Sequence, residues 1–178
     1  MSWTMPDGRP APETLVDLLR HSAELAGDRV AITFLPTGEG EGQSINYPEL
    51  ERRVRATAVR LVRAGLQGER VLLLTMGGID FVIAYFGALA AGAVAVPTYP
   101  PDPARLDRTL PRLMGIAADS RSRGVLTTTA IQGLAGDLSA VAPELASKIW
   151  LTVDDVDLAD ADEWKRPPIS GSDLAFLQ

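Results

Sequence analysis

The sequence predicts an α/β protein: a layered, mostly parallel sheet flanked by helices, with a small antiparallel margin. Three observations carry this expectation. From Arg70 onward, strand-like and helix-like stretches alternate. The strand-like stretches, "RVLLLTM" and "AVAVP" among them, are continuous apolar runs. Before them, a turn-rich "PTGEGEG" separates two β-rich pieces. Continuous runs imply burial on both faces, which a parallel sheet covered by crossover helices provides, and the turn between short β pieces implies a hairpin.

Thr14, with Asp17 three residues on, marks a helix start, and Leu15, Leu18, Leu19, Ser22 and Leu25 continue at helical spacing to "AGD". "RVAITFL" (29–35) and "QSINY" (43–47) form the expected hairpin, placed at a sheet edge. "YPELERRVRATAVRLVRAG" puts Leu50, Val54, Ala58 and Leu61 on one face and arginines opposite, closing at Gly65, so it reads as a surface helix. Then follow a strand at 70–76, the apolar helix "GIDFVIAYFGALAAG", the strand "AVAVP" and the helix "LDRTLPRLMGIAADS", interrupted at Pro111. A strand at 124–129, the helix "AIQGLAGDLSAVAPEL", a strand at 148–153 and a final buried strand "DLAFLQ" complete the series. The acidic, proline-bearing stretch between the last two strands reads as a solvated loop. Asp154, Asp155, Asp157 and Asp160 lack the central glycine and terminal glutamate of a calcium loop.

Composition narrows the function. With 178 residues and 46% hydrophobic content the chain can bury a real core, and its 17 basic against 23 acidic residues offer no footprint for nucleic acid. Cysteine is absent, which excludes disulfides, thiolate nucleophiles and cysteine metal sites. The lone His21 reads as an ordinary surface histidine. The uncharged stretch from Phe81 to Val96 is shorter than the ~20 residues of a membrane span, so no integral membrane association is expected. No secretory pattern opens the chain, and a cytoplasmic location is expected. "GEGEG" carries two glutamates and leads into no helix, so it is a hairpin tip rather than a phosphate cradle. Neither GxxxxGK[ST] nor GxSxG occurs. A receiver-type regulator would need acidic strand ends, and the strands here end "FLPT" and "TMGG".

The most informative stretch is "GALAAGAVAVPTYPPDPARL", 87–106. Small residues allow close helix–sheet packing, and the prolines fix an extended exit from the strand. The result is a rigid wall at the carboxyl end of a parallel strand, where open α/β sheets place ligands. Together with "YPELERRVRATAVRLVRAGLQGERVLLL", "VLTTT" and "DLAFLQ", this stretch resembles the N-terminal subdomain of the fatty acyl-AMP ligases, members of the adenylate-forming superfamily. The resemblance runs from about Thr14 to Gln178.

The resemblance implies a two-step reaction. A fatty acid carboxylate attacks the α-phosphate of ATP, with Mg2+ neutralising the phosphates, to give acyl adenylate and pyrophosphate. The acyl group then passes to the phosphopantetheine thiol of an acyl carrier protein, or to CoA if the parent is an acyl-CoA synthetase. It further implies that 1–178 is a partial AMP-binding domain, with 1–12 flexible, that the remaining subdomains of the enzyme are its partners, and that "DLAFLQ" leads to a nucleotide loop. The family's phosphate loop, ribose-binding aspartate and catalytic lysine have no counterpart in these residues. No catalytic residue is therefore assigned, and neither ATP nor Mg2+ is expected to bind this part tightly. Tyr99, Pro100 and Pro101 are expected to form the cleft wall, and Arg105, Arg108 and Arg112 are candidates to attract phosphate or a carrier protein. "TMGG" (75–78) stands where relatives carry Tyr-Pro-Pro-Gly, so a differently shaped loop is expected there. The alternative of another class is a non-catalytic α/β binding module, with its last strand covered.

Overall fold

Val71, Leu72, Leu73 and Leu74 are wholly buried, and alternate residues of a strand face opposite sides of a sheet. Val71 and Leu73 join one apolar cluster and Leu72 and Leu74 another, so the strand carrying them has a core on each side. In the computed structural model, which describes residues 11–138 and 142–178, that strand is the centre of a three-layer arrangement. The expectation for 1–12 falls mostly outside the described residues.

The elements in chain order are α1 (Leu15–Ala26), β1 (Val30–Phe34), β2 (Gln43–Asn46), α2 (Tyr47–Arg63), β3 (Arg70–Leu74), α3 (Ile79–Ala90) and β4 (Val94–Thr98). After a short 3-10 turn at Pro103–Arg105 come α4 (Leu106–Asp119), β5 (Gly124–Thr127), α5 (Thr129–Leu138), α6 (Pro143–Ala146) and β6 (Ile149–Thr152), then a second 3-10 turn at Leu158–Glu163. The main sheet is parallel throughout, in the order β4-β3-β5-β6. Leu72 is in register with Val96 on one side and Val125 on the other. Helices α1, α2 and α3 cover one face, while Leu110, Leu113 and Ala117 of α4 with Leu145 of α6 cover the other.

Local chemistry accounts for the helix ends. The Thr14 hydroxyl accepts from the Asp17 amide at 3.1 Å and caps α1, and the Asn46 side chain accepts from the Glu49 amide at 2.8 Å and caps α2. Gly65, at φ 72, closes α2 in the left-handed conformation that glycine adopts without penalty.

Several elements differ from the expectation. The hairpin β1–β2 is a separate antiparallel sheet packed on α2 and α3, not an edge of the main one. Helix α4 runs straight through Pro111. A proline there removes one backbone donor, and the cost is borne by packing of Leu110 and Leu113 into the core. The region expected as a single helix after β5 comprises α5 and α6, and residues 139–141 between them lie outside the described residues. The final apolar run is not a buried strand. Only Phe176 bridges to Ala95, through Ala95 N to Ala175 O at 3.0 Å and Leu177 N to Ala95 O at 2.9 Å, with Leu174 54% and Phe176 43% exposed.

The largest correction concerns 154–169, expected as a solvated loop. It forms a strap docked on the arginine face of α2, so α2 is covered on both sides. Arg63 bonds Asp160 at 2.8 Å and Glu163 at 2.7 Å, and Arg55 donates to the Ala161 carbonyl at 2.7 Å. Arg60 donates to the Thr152 carbonyl at 3.0 Å and its hydroxyl at 2.8 Å, and pairs with the Asp155 carboxylate. Further on, Trp164 donates its indole N–H to the Ala90 carbonyl at 2.9 Å and lies under the Arg20 guanidinium. Arg166 grips Asp17 with two bonds of 2.8 Å, which holds the Asp17 carboxyl down at about 2.

Candidate functional site

Open parallel sheets bind ligands beyond the carboxyl ends of their strands, and in this chain the groove at that end is bounded by β4 and α4. It encloses about 820 Å3. Its walls come from the β3–α3 connection (Thr75 and Gly77), Phe81 in the first turn of α3, the end of β4 and its exit (96–100), the inner side of α4, and Leu177 and Gln178. A smaller hollow of about 370 Å3 lies between 168–175, the start of α1 and Gly92–Ala93. It sits at the amino end of β4, away from the strand ends that serve ligands.

The sequence places the groove residues by simple means. Pro97 and Pro100 straighten the exit of β4, and the Asp102 carboxylate accepts from the Ala104 amide at 2.9 Å, starting the turn into α4. Thr109 ties that turn down through its hydroxyl, donated to the Arg105 carbonyl at 2.9 Å and accepting from the Asp102 amide at 3.1 Å. Tyr99 stands on the rim, 79% exposed, and Pro100, half-buried, lines the groove. Pro101 is half-buried but not among the lining residues. Arg108 and Arg112, one turn apart on α4, line the groove, whereas Arg105 turns back towards Asp102 at 4.0 Å.

The "TMGG" segment has a structural reason for its second glycine. Gly78 has φ 128 and lies under the Phe34 ring of β1, where a Cβ would approach the ring to 3.3 Å. The hairpin thus packs on the loop that follows β3. The next turn carries Asp80, whose carboxyl is pushed up by burial and by the nearby Asp154 carboxylate. Asp154 itself accepts from the Thr129 amide at 2.8 Å at the start of α5.

Thr75 was not singled out from the sequence. It is 2% exposed, lines the groove, and its hydroxyl has no hydrogen-bond partner. A threonine closing an otherwise apolar strand was the available signal. His21, half-buried on α1, lines a separate hollow with Asp17 and Arg166 and is not among the residues that line the groove.

Among the described residues no three histidine or acidic side chains gather in a way that would hold a metal ion. Also among the described residues, no helix is long and apolar enough to cross a membrane.

Comparison with known proteins gives these features a setting. The chain is 39% identical over 171 residues to the medium-chain-fatty-acid–[acyl-carrier-protein] ligase JamA of Moorena producens (strain JHB), covering 96% of this chain and 29% of JamA. It is 30% identical over 148 residues to the long-chain-fatty-acid–AMP ligase FadD23 of Mycobacterium tuberculosis (strain CDC 1551 / Oshkosh), covering 82% of this chain and 25% of that protein. The chain thus spans between a quarter and a third of the length of these relatives. Among solved structures, the fatty acid AMP ligase of Legionella pneumophila superposes with a TM-score of 0.80 at 28% identity, over 93% of this chain and 27% of that one. The L. pneumophila fatty acyl-adenylate ligase in complex with acyl adenylate and pyrophosphate superposes at 0.77 and 28% identity, over the same shares. The AMP-binding enzyme family matches residues 19–178, nearly the whole α/β layer structure described above, and the chain belongs to that family.

Proposed function

We propose that residues 1–178 are the N-terminal subdomain of a ligase that activates a fatty acid with ATP to acyl adenylate and passes the acyl group to the phosphopantetheine of an acyl carrier protein. The observation that carries this reading is the 39% identity to a fatty-acid–[acyl-carrier-protein] ligase along 96% of the chain. In this reading the subdomain is scaffold. The β4 exit, with Tyr99 and Pro100, forms the wall of the acyl and nucleotide cleft, Pro101 following them outside the groove lining, and no residue of this chain is assigned a bond-making role. ATP and Mg2+ are held by the rest of the enzyme, whose remaining subdomains pack against this one. The half-exposed Leu174 and Phe176, beside the β4 edge, supply an apolar surface for that packing. The ligase works in the cytoplasm, where its ATP is supplied.

The reading is tested by ATP–pyrophosphate exchange. The polypeptide that carries this sequence together with the remainder of a ligase should exchange pyrophosphate in the presence of medium- or long-chain fatty acids and should load a phosphopantetheinylated carrier in preference to CoA. Residues 1–178 alone should show no exchange. Exchange by the 178-residue chain, or fatty-acid-independent exchange by the longer one, would overturn the proposal. Efficient formation of acyl-CoA instead would make the parent an acyl-CoA synthetase.

A further inference from the structure

The strap is attached to the rest of the chain in an unusual way. Among the described residues, 155–169 share no main-chain hydrogen bond with any other part of the protein; their main-chain bonds are internal, such as Asp160 N to Asp157 O at 3.1 Å and Trp164 N to Ala161 O at 3.3 Å. What crosses to the helices comes from side chains, and guanidiniums supply all of it but one bond. Arg52 and Arg55 donate to the Leu158 and Ala161 carbonyls at 3.3 and 2.7 Å, Arg60 holds the Asp155 carboxylate and carbonyl, Arg63 holds Asp160 and Glu163, and Arg166 holds Asp17. The exception is the Trp164 indole on the Ala90 carbonyl. Along the whole stretch only Ala161 and Pro167 are buried.

Such attachments respond to salt, and the sheet beneath does not. The Arg63, Glu163 and Asp155 side chains are half-exposed or more, and exposed pairs are screened as the Debye length shrinks from about 10 Å at 0.1 M to about 3 Å at 1 M. The sheet is held by ladder bonds and by wholly buried side chains such as Leu72 and Leu73, which screening leaves untouched. Release of the strap would reach two neighbours. Helix α1 would lose the Arg166 grip on Asp17 and the Arg20–Trp164 contact, keeping only its apolar packing through Val16 and Leu19. Downstream, Ile169 shares an apolar cluster with Ala175, the Ala175 carbonyl and Leu177 amide bond Ala95, and Leu177 and Gln178 wall the groove.

We propose that residues 155–169 are a salt-labile latch: guanidinium pairs hold it shut, screening releases it as a unit, and its release frees α1 and loosens the 170–178 wall of the groove while the four-stranded sheet stays folded. Opening of one segment ahead of the whole is expected where few apolar contacts and no ladder bonds hold it. The latch has three charged anchors, Arg60 on Asp155, Arg63 on Asp160 and Glu163, and Arg166 on Asp17. Screening one exposed pair shifts an equilibrium by about two- to threefold, so screening all three shifts it by about tenfold. The groove wall thereby answers to charges on α1 and α2, neither of which lines the groove. The latch needs neither ATP nor the rest of a ligase, so it stands or falls separately from the proposed activity.

Two tryptophans provide the test. Trp164 donates its indole N–H to the Ala90 carbonyl at 2.9 Å from within the latch, and Trp150 donates its own to the Leu145 carbonyl at 3.0 Å from β6, outside it. Hydrogen exchange of both is followed by 15N NMR on the 178-residue chain in low salt and in sodium chloride at about 1 M, with the Trp164 signal assigned from its loss in Trp164→Phe. Exchange at Trp164 should accelerate about tenfold in high salt, and the Leu177 amide with it, while the Trp150 indole and the amides of Leu72, Leu73 and Leu74 keep their rates. Arg63→Gln, at a half-exposed position, should keep the far-ultraviolet circular dichroism of the parent, speed Trp164 exchange about two- to threefold in low salt and blunt the response to salt. Arg166→Gln should do the same from the other end of the strap. Trp164 exchange indifferent to salt, equal acceleration of Trp164 and Trp150, or an undiminished salt response in both arginine variants would each overturn the latch. A Leu177 amide that keeps its protection while Trp164 loses it would overturn the link to the groove.

Discussion

Adding one methyl group at Gly87 tests how closely α2 and α3 approach. Gly87 lies inside α3, where alanine is intrinsically favoured by about 0.8–1.0 kcal/mol, so on propensity alone Gly87→Ala should stabilise the chain. The structure reverses the sign. A Cβ at this position would lie 2.6 Å from Thr57 Cγ2 and 2.9 Å from Thr57 Cβ, on the facing side of α2. Both are far inside the ~3.5–4.0 Å optimum for carbon contacts. Thr57 is wholly buried, so its side chain cannot swing away into solvent, and the helices must separate. Overpacking of this kind costs about 1–3 kcal/mol. Set against the propensity gain, the net effect is a destabilisation of up to about 2 kcal/mol, or up to roughly 4–8 °C in Tm for a chain of this size. Urea titration followed by far-ultraviolet circular dichroism measures it. Thr57→Ala removes the Cγ2 that makes the worst contact, so in the double variant part of the loss should be recovered, with a coupling of about 1 kcal/mol. A Gly87→Ala chain more stable than its parent, or strictly additive single effects, would refute the close approach of the two helices at Thr57.

The strap yields two more expectations. Asp17 has its pKa held at about 2, chiefly by Arg166, against 3.8 for the free group. Its contribution is therefore complete above pH 4 and disappears as pH falls through about 2. Asp17→Asn should cost about 1 kcal/mol at pH 7, discounted for the partial exposure of the pair, and the gap from the parent should close between pH 4 and pH 2 in urea titrations; a gap that is constant with pH would refute the pairing. Arg60→Met keeps the apolar stem but removes the bonds to Thr152 and Asp155. It should cost about 1–2 kcal/mol and make 155–163 the first site of cleavage in limited proteolysis, whereas an unchanged cleavage pattern would mean that the strap is held elsewhere.

How much of this was legible in the sequence depends on the range of the interactions. The strands stood out because a run such as Leu72–Leu74 is apolar wherever its partners lie, and the helix starts stood out because Thr14 and Asn46 act on amides three residues away. The strap was misread as a solvated loop because its aspartates look hydrated until Arg60 and Arg63, over 90 residues earlier, are brought to them by the fold. Pro111 was read as a break because propensity alone disfavours it, while the burial of Leu110 and Leu113 that carries α4 through it is tertiary. The final run was read as buried because Leu174 and Phe176 are apolar, yet the edge they occupy leaves both in part to solvent. In the groove, Tyr99 and Pro100 were legible from the proline-rich exit of β4. Thr75 was not, since an absent hydrogen-bond partner is a property of the folded neighbourhood rather than of the residue.

The strap also dictates the order in which this chain can mature. Arg166 lies 149 residues beyond the Asp17 it grips, and at synthesis rates of ~5–20 residues per second the two are made about 7–30 s apart. Until the strap is made, α1 and α2 stand with Asp17, Arg60 and Arg63 facing water and the seat of Trp164 at the end of α3 uncovered. The first helices made are thus among the last to be secured. A nascent chain released or stalled before Trp164 would carry its main sheet but not the clasp across it, and would be the form that chaperones and proteases meet first.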